Sequence, residues 1–173
     1  MGSIRQYLSV EATETLVSSL LLSRLDYCSA LLAGCPQVFL DKIQRVINCS
    51  ARLVCKASQS AHIIPLLFDL HWLPINSRIQ YKIALTCFHI ISGTAPPYLS
   101  ELLHLYSPSH SLRSASDSRI FRVPRVCRRT LGERSFQYIG PVIWNSLPFS
   151  VRHVTSLSSF KSKLKSYLFS SAC

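Results

Sequence analysis

Apolar residues recur at spacings of three and four along most of this chain, a periodicity that confines it to helices packed through one face. The clearest run is Leu16, Leu20, Leu21, Leu25, Cys28, Leu31 and Leu32. Ser9 stands where an N-cap is needed, and Glu11 and Glu14 follow it close to the positive end of the helix dipole. Gly34 and Pro36 stop the run. A second helix is expected over 39–57, with Ile43, Val46, Ile47, Ser50 and Val54 on one side and Lys42, Arg45, Arg52 and Lys56 largely on others. The short connection around Gly34 makes an antiparallel hairpin the economical arrangement.

Further along, 62–70 reads as a short helix or turn broken at Pro65, and His71-Trp72-Leu73-Pro74 leads as a corner into a third long helix. Ile79, Ile83, Cys87 and Ile90 form its stripe, Ala84, Phe88 and Ile91 adjoin it, and Gly93 ends it. Ala95-Pro96-Pro97 is a rigid spacer before a brief amphipathic helix over 98–105. Residues 107–118, rich in Ser, Pro, His and Arg, lack an apolar period and read as a linker. Beyond it, 120–126 alternates in strand fashion, with Pro124 demoting it to an edge or extended segment. Residues 128–146 fit either strand or helix, with Gly140-Pro141 interrupting both, and a helix with a break is the favoured reading. A final helix over 156–169 carries a seam of Leu157, Phe160, Leu164 and Leu168. The expectation is a mainly α fold: a helical hairpin or bundle in the N-terminal part and a smaller basic α part with one short extended segment. The division is 1–106, a linker at 107–119, and 120–173.

Charge separates the halves more sharply than periodicity does. Residues 1–112 hold eight basic and six acidic side chains, and residues 113–173 hold eleven against two. The formal charge of +11 therefore resides mostly in the last third, which points to a polyanionic partner. Seven cysteines, an odd number with no secretory leader, favour reduced thiols and a cytoplasmic or nuclear location. Cys28, Cys35, Cys49, Cys55, Cys87 and Cys127 mostly take the place of small apolar residues in helical patterns, and are expected to be buried or inert. Apolar runs such as 20–22 and 63–68 fall far short of the roughly 20 residues that cross a bilayer. Surface attachment of the basic last helix to acidic lipid is the electrostatic rival to nucleic acid.

Enzymatic signals are missing. Two-metal phosphoryl chemistry needs converging carboxylates, and the eight acids here are scattered singly. Neither Cys28 with Cys35 nor Cys49 with Cys55 has the short separation of a structural zinc site; joining Cys49, Cys55 and His62 is the remaining, weaker option. No nucleophile elbow or glycine-rich phosphate loop is present, and His71 beside Trp72 reads as a corner rather than a base. No cofactor, metal or catalytic residue is assigned. What remains is a basic region: Arg119, Arg122, Arg125, Arg128, Arg129 and Arg134, then Arg152, Lys161, Lys163 and Lys165. Of these, Arg122, Arg125, Arg128, Arg129, Arg134, Lys161, Lys163 and Lys165 are the candidate phosphate contacts, neutralising RNA or DNA without reading its sequence. A merely solvated basic face is the alternative. Trp144 and Tyr138 have the chemistry to stack on bases, but their neighbours Phe136, Ile139, Val142 and Leu147 favour a core position.

A set of ordered strings adds to this reading. Ser23-Arg24-Leu25-Asp26-Tyr27-Cys28, Leu31-Leu32-Ala33-Gly34-Cys35-Pro36 and Leu40-Asp41-Lys42-Ile43-Gln44-Arg45-Val46 come first. Ala51-Arg52-Leu53-Val54, Leu70-His71-Trp72-Leu73-Pro74, Arg78-Ile79-Gln80-Tyr81-Lys82-Ile83 and Ala95-Pro96-Pro97-Tyr98-Leu99 follow. Ser111-Leu112-Arg113-Ser114, Gly132-Glu133-Arg134-Ser135-Phe136, Trp144-Asn145-Ser146-Leu147-Pro148 and Ser159-Phe160-Lys161 close the series. In this order they resemble the stretch downstream of the polymerase core in non-LTR, LINE-type retrotransposon reverse transcriptases, over almost the whole chain.

The resemblance implies that the first helices take the thumb or post-thumb position of an RNA-directed DNA polymerase and that the rest is its C-terminal tail. The family's Tyr-x-Asp-Asp metal-binding motif has no counterpart here, and neither does its endonuclease. No catalytic residue carries over, and a polymerase core would have to be supplied elsewhere. Cys35, Cys49 and Cys55 stand where the relatives tend to have Leu, Ala or Thr-like residues, and Ser29 replaces a usual Asn. Such drift also fits a structural transposon remnant without retained activity, or a basic interaction module.

Overall fold

The structure is a computed structural model that describes residues 5–27, 29–107, 119–126 and 132–172. It is mainly helical, with no strand among the described residues. Packing divides the chain into two compact units, residues 1–79 with 168–173 and residues 80–167. The expected linker at 107–119 lies largely outside the described residues.

In the first unit, Ser9 caps α1 (Val10–Val17) by accepting the Ala12 N–H at 3.1 Å. One π-helical turn, Ser18–Leu22, then joins α1 to α2 (Ser23–Asp26). That wider turn corrects the expected buried face. Thr13, Val17, Leu22, Ser29 and Ala33 are buried, whereas Leu16, Leu20 and Leu31 are exposed. A π turn adds a residue and rotates everything after it, so a constant 3.6-residue period selects the wrong side.

Helix α3 (Gln37–Cys55) buries Leu40, Ile47, Ser50, Ala51 and Val54 and packs against α1 and α4 (Ile63–Asp69). Val46, expected on that face, is 44% exposed. The end of α3 is closed by residues far apart in sequence. Arg5 donates from Nε to the Leu53 carbonyl at 2.8 Å and from Nη2 to that of Val54 at 2.9 Å, covering acceptors that the last helical turn leaves without partners. Lys56 makes the turn itself in the left-handed region, at φ 53°.

Pro65 does not break α4. It is the third helical residue, where a missing N–H removes no helical hydrogen bond. The His71 corner forms at φ 54°, with Trp72 and Leu73 buried behind it. At the start of α5 (Ile75–Ile91), the Gln44 side chain accepts the Ile75 N–H at 2.8 Å. Arg78 pairs with Asp26 at 2.9 Å and also donates to the Leu73 carbonyl.

The second unit is organised around aromatic rings. Phe160 stacks on Phe88 with centroids 4.3 Å apart and lies 5.7 Å from Trp144, which in turn meets Phe121 edge-on at 6.0 Å. Trp144 is fully buried, as its apolar neighbours in the sequence suggest, and Tyr138 is half-buried. On α5, Ile83, Ala84, Cys87 and Phe88 are buried, and Gly93 ends the helix in the left-handed region.

Two expected elements differ here. The helix expected over 98–105 is only α6 (Pro97–Ser100), after which the chain turns and extends. Helix α7 (Phe136–Ser146) runs through Gly140 and Pro141 without the expected interruption, because both are buried where tertiary packing holds the backbone helical. After the short α8 (Phe149–Arg152), α9 (Leu157–Ala172) buries Phe160, Leu164 and Leu168, the expected seam.

Residues 119–126 are extended but do not join a sheet. They form one antiparallel bridge, Leu105 to Phe121, with Tyr106 N–H on the Ile120 carbonyl and Arg122 N–H on the His104 carbonyl, both at 2.8 Å. A side chain takes the other edge: Asn145 accepts the Phe121 N–H at 3.0 Å and donates to the Phe121 carbonyl at 2.8 Å. Asn145 thus satisfies both main-chain groups that a neighbouring strand would have paired.

Candidate nucleic-acid interface

By sequence, residues 80–167 hold twelve Lys and Arg against three Asp and Glu, compared with seven against five in the other unit. The arginines of the basic unit fall into two groups, and the first is turned inward. Arg119 donates from Nη1 to the carbonyls of Arg152 at 3.1 Å and Val154 at 2.8 Å. Arg152, itself buried, donates from Nε to the Leu147 carbonyl at 2.9 Å. The Arg119 carbonyl receives the Trp144 indole N–H at 2.7 Å.

These contacts fasten the start of the extended segment to the ends of α7 and α8. Arg119 and Arg152, which belong to the basic region but not to the eight candidate phosphate contacts, thus spend donors on the fold. The reason is local: helix ends expose carbonyls without helical partners, and a guanidinium brings five donors to meet them.

The second group faces outward. Arg122 and Arg125 are exposed, and among the described residues neither guanidinium has a hydrogen bond or ion pair. Both line one cavity of about 520 Å³, together with Leu102, His104, Val123, Pro124 and Gln137. No acidic residue is part of that wall. The cavity is built from three places in the sequence. Leu102 and His104 come from the turn after α6, Gln137 from the first turn of α7, and the arginines from the extended segment held by Asn145.

Arg134 is exposed in the turn before α7. On α9, Lys161 and Lys163 are exposed on either side of the buried Phe160 and Leu164, and Lys165 is half-buried. None of these lysines lines the cavity, so the structure gathers Arg122 with Arg125 but does not bring the α9 cations to them. Arg128 and Arg129 lie outside the described residues. His104 and Gln137 join the cavity wall with no signal in the sequence, since each stands alone in its segment.

The first unit has a larger cationic hollow of about 660 Å³ lined by Arg5, Arg52, Lys56 and Cys49. Arg5 is committed to the end of α3, and Arg52 donates to the Ala61 carbonyl at 3.2 Å, so fewer of their N–H donors are open to a ligand. Cys49 is exposed there because it lies off the inward stripe of α3. Cys87 is buried, and burial drives its thiol well above the ordinary range. Burial also raises Cys55, helped by Asp69 and Glu14.

Among the described residues, no three His, Cys, Asp or Glu side chains are grouped so as to hold a metal ion. No described helix is long and apolar enough to cross a membrane. The chain matches no protein-family model, no curated protein and no solved structure.

Proposed function

We propose that this chain is a non-catalytic fragment of a LINE-type reverse transcriptase, acting inside the cell in the cytoplasm or nucleus. It associates with RNA or DNA by neutralising phosphates and does not read sequence. The observation that carries the binding is the pair of outward arginines, Arg122 and Arg125, on a wall without acids in the unit that holds most of the charge. The ordered strings between Ser23 and Lys161 support the parentage, and the polymerase core is a partner supplied elsewhere.

Filter-binding titrations of RNA and DNA across a salt series test this reading. Binding through phosphates loses affinity steeply with salt, at a logarithmic slope of about 0.9 for each phosphate neutralised on duplex DNA. Replacing Arg122 and Arg125 together by Ala is expected to reduce that slope by roughly 2 if each makes one contact. Retention that is absent, or that does not respond to salt, refutes it. Primer extension with added Mg²⁺ above a heat-killed control would overturn the non-catalytic part.

A second reading, a structural helical module, is favoured by the inward use of Arg119 and Arg152. It gives equal retention on heparin and on nucleic acid.

A further inference from the structure

We infer that the cavity between Leu102, His104, Arg122, Arg125 and Gln137 is a nucleotide pocket that receives one unstacked base with its phosphate. The second unit then prefers single-stranded nucleic acid to duplex. The inference rests on the phosphate-binding reading above and adds what that reading lacks, a shape that distinguishes strands.

Three features of the wall carry it. The first is size: about 520 Å³ falls within the roughly 300–1,000 Å³ of pockets that enclose small ligands, room for a splayed-out base that a paired and stacked duplex does not present. The second is the pairing of charge with apolar surface. Leu102 is 36% and Val123 41% exposed, and with Pro124 they offer an uncovered apolar patch beside two guanidiniums. A face of that kind suits the flat side of a base, while planar guanidiniums suit phosphate oxygens two at a time. Loose phosphate steering alone would not need the apolar part.

The third feature is hydrogen-bonding capacity at the rim. The Gln137 amide and the His104 ring each bring donor and acceptor positions, which match the edges that bases expose when unstacked. Their backbone supports are firm. His104 is tied through its carbonyl to the Arg122 N–H, and Arg122 follows the residue clamped on both sides by Asn145.

The test uses the full chain and fluorescence anisotropy with a 12-nucleotide single strand, as RNA and as DNA, and a hairpin duplex of the same composition. The unaltered protein is expected to bind the single strand more tightly. Leu102→Ala with Gln137→Ala is expected to weaken the single strand about tenfold and the duplex less than twofold, in line with the loss of one stacked base. Both positions are exposed, and thermal melting checks that the variant stays folded. A free nucleoside monophosphate should displace the single strand at lower concentration than inorganic phosphate or the unphosphorylated nucleoside. Equal loss on both probes, no loss on either, or displacement by inorganic phosphate alone overturns the pocket and leaves phosphate binding standing. If the native chain binds neither probe in a salt-sensitive way, both readings fall.

Discussion

Replacing Asn145 by Ala removes the only side chain among the described residues that holds both main-chain groups of Phe121. Phe121 is 2% exposed and its two bonds to Asn145 are partly buried, so water reaches the orphaned N–H and C=O poorly. Each net hydrogen bond is worth about 1 kcal/mol, and each buried group left unpaired costs about 1–3 kcal/mol. Partial exposure places the sum near the lower end, at about 2–3 kcal/mol. In a chain of this size that corresponds to a melting temperature lower by about 4–12 °C. Thermal melts and urea titrations, compared at unchanged m-value, measure it directly. Asn145→Asp keeps the acceptor for the Phe121 N–H but sets a carboxylate oxygen against the Phe121 carbonyl, so at neutral pH it should be no more stable than the Ala variant. A loss below about 0.5 kcal/mol for Asn145→Ala would falsify the clamp, since that is the lower limit for a single net hydrogen bond.

Leu164→Ala, at a fully buried position of α9, is expected to cost about 2–5 kcal/mol by urea denaturation. Gly140→Ala should be neutral or stabilising by up to about 1 kcal/mol, because the added Cβ meets Cys87, Phe136 and Leu103 at 3.4–3.5 Å while the helix gains a better former. Thiol labelling followed by peptide mapping should modify exposed Cys49 in the native protein and reach buried Cys87 only on unfolding. The folded Cys87 thiol titrates above its unfolded value, so its neutral form keeps full stability below pH 9.0. That stability falls as pH rises further, by about 1.4 kcal/mol per pH unit. Alkaline urea titrations of native and Cys87→Ala protein should show a shallower decline in the variant.

The helices were largely legible because the periods of α3, α5 and α9 are carried by Ile, Leu, Val and Phe at regular spacing. Leu20 falls on the wrong side because a single π turn shifts the phase without changing composition, whereas Leu16 precedes that turn and is exposed because Thr13 and Val17 form the inward face of α1. Pro141 misled for a different reason. Its cost is local, whereas the burial that outweighs it comes from residues distant in sequence. At the candidate interface, Arg122 and Arg125 are visible as charge, but their gathering at one cavity and the inward turn of Arg119 are not. The inward turn depends on free carbonyls at the ends of α7 and α8, and only the folded chain brings those within reach. Arg5, bonded to carbonyls 48 and 49 positions away, was invisible for the same reason.

The guanidinium clasp at Arg5 has a practical side. The Arg5 guanidinium keeps its proton throughout the working pH range, and its acceptors are the neutral carbonyls of Leu8, Leu53 and Val54, so neither mild acid nor added electrolyte does much to loosen the grip. The closure at the end of α3 should therefore persist from dilute buffer to strong brine.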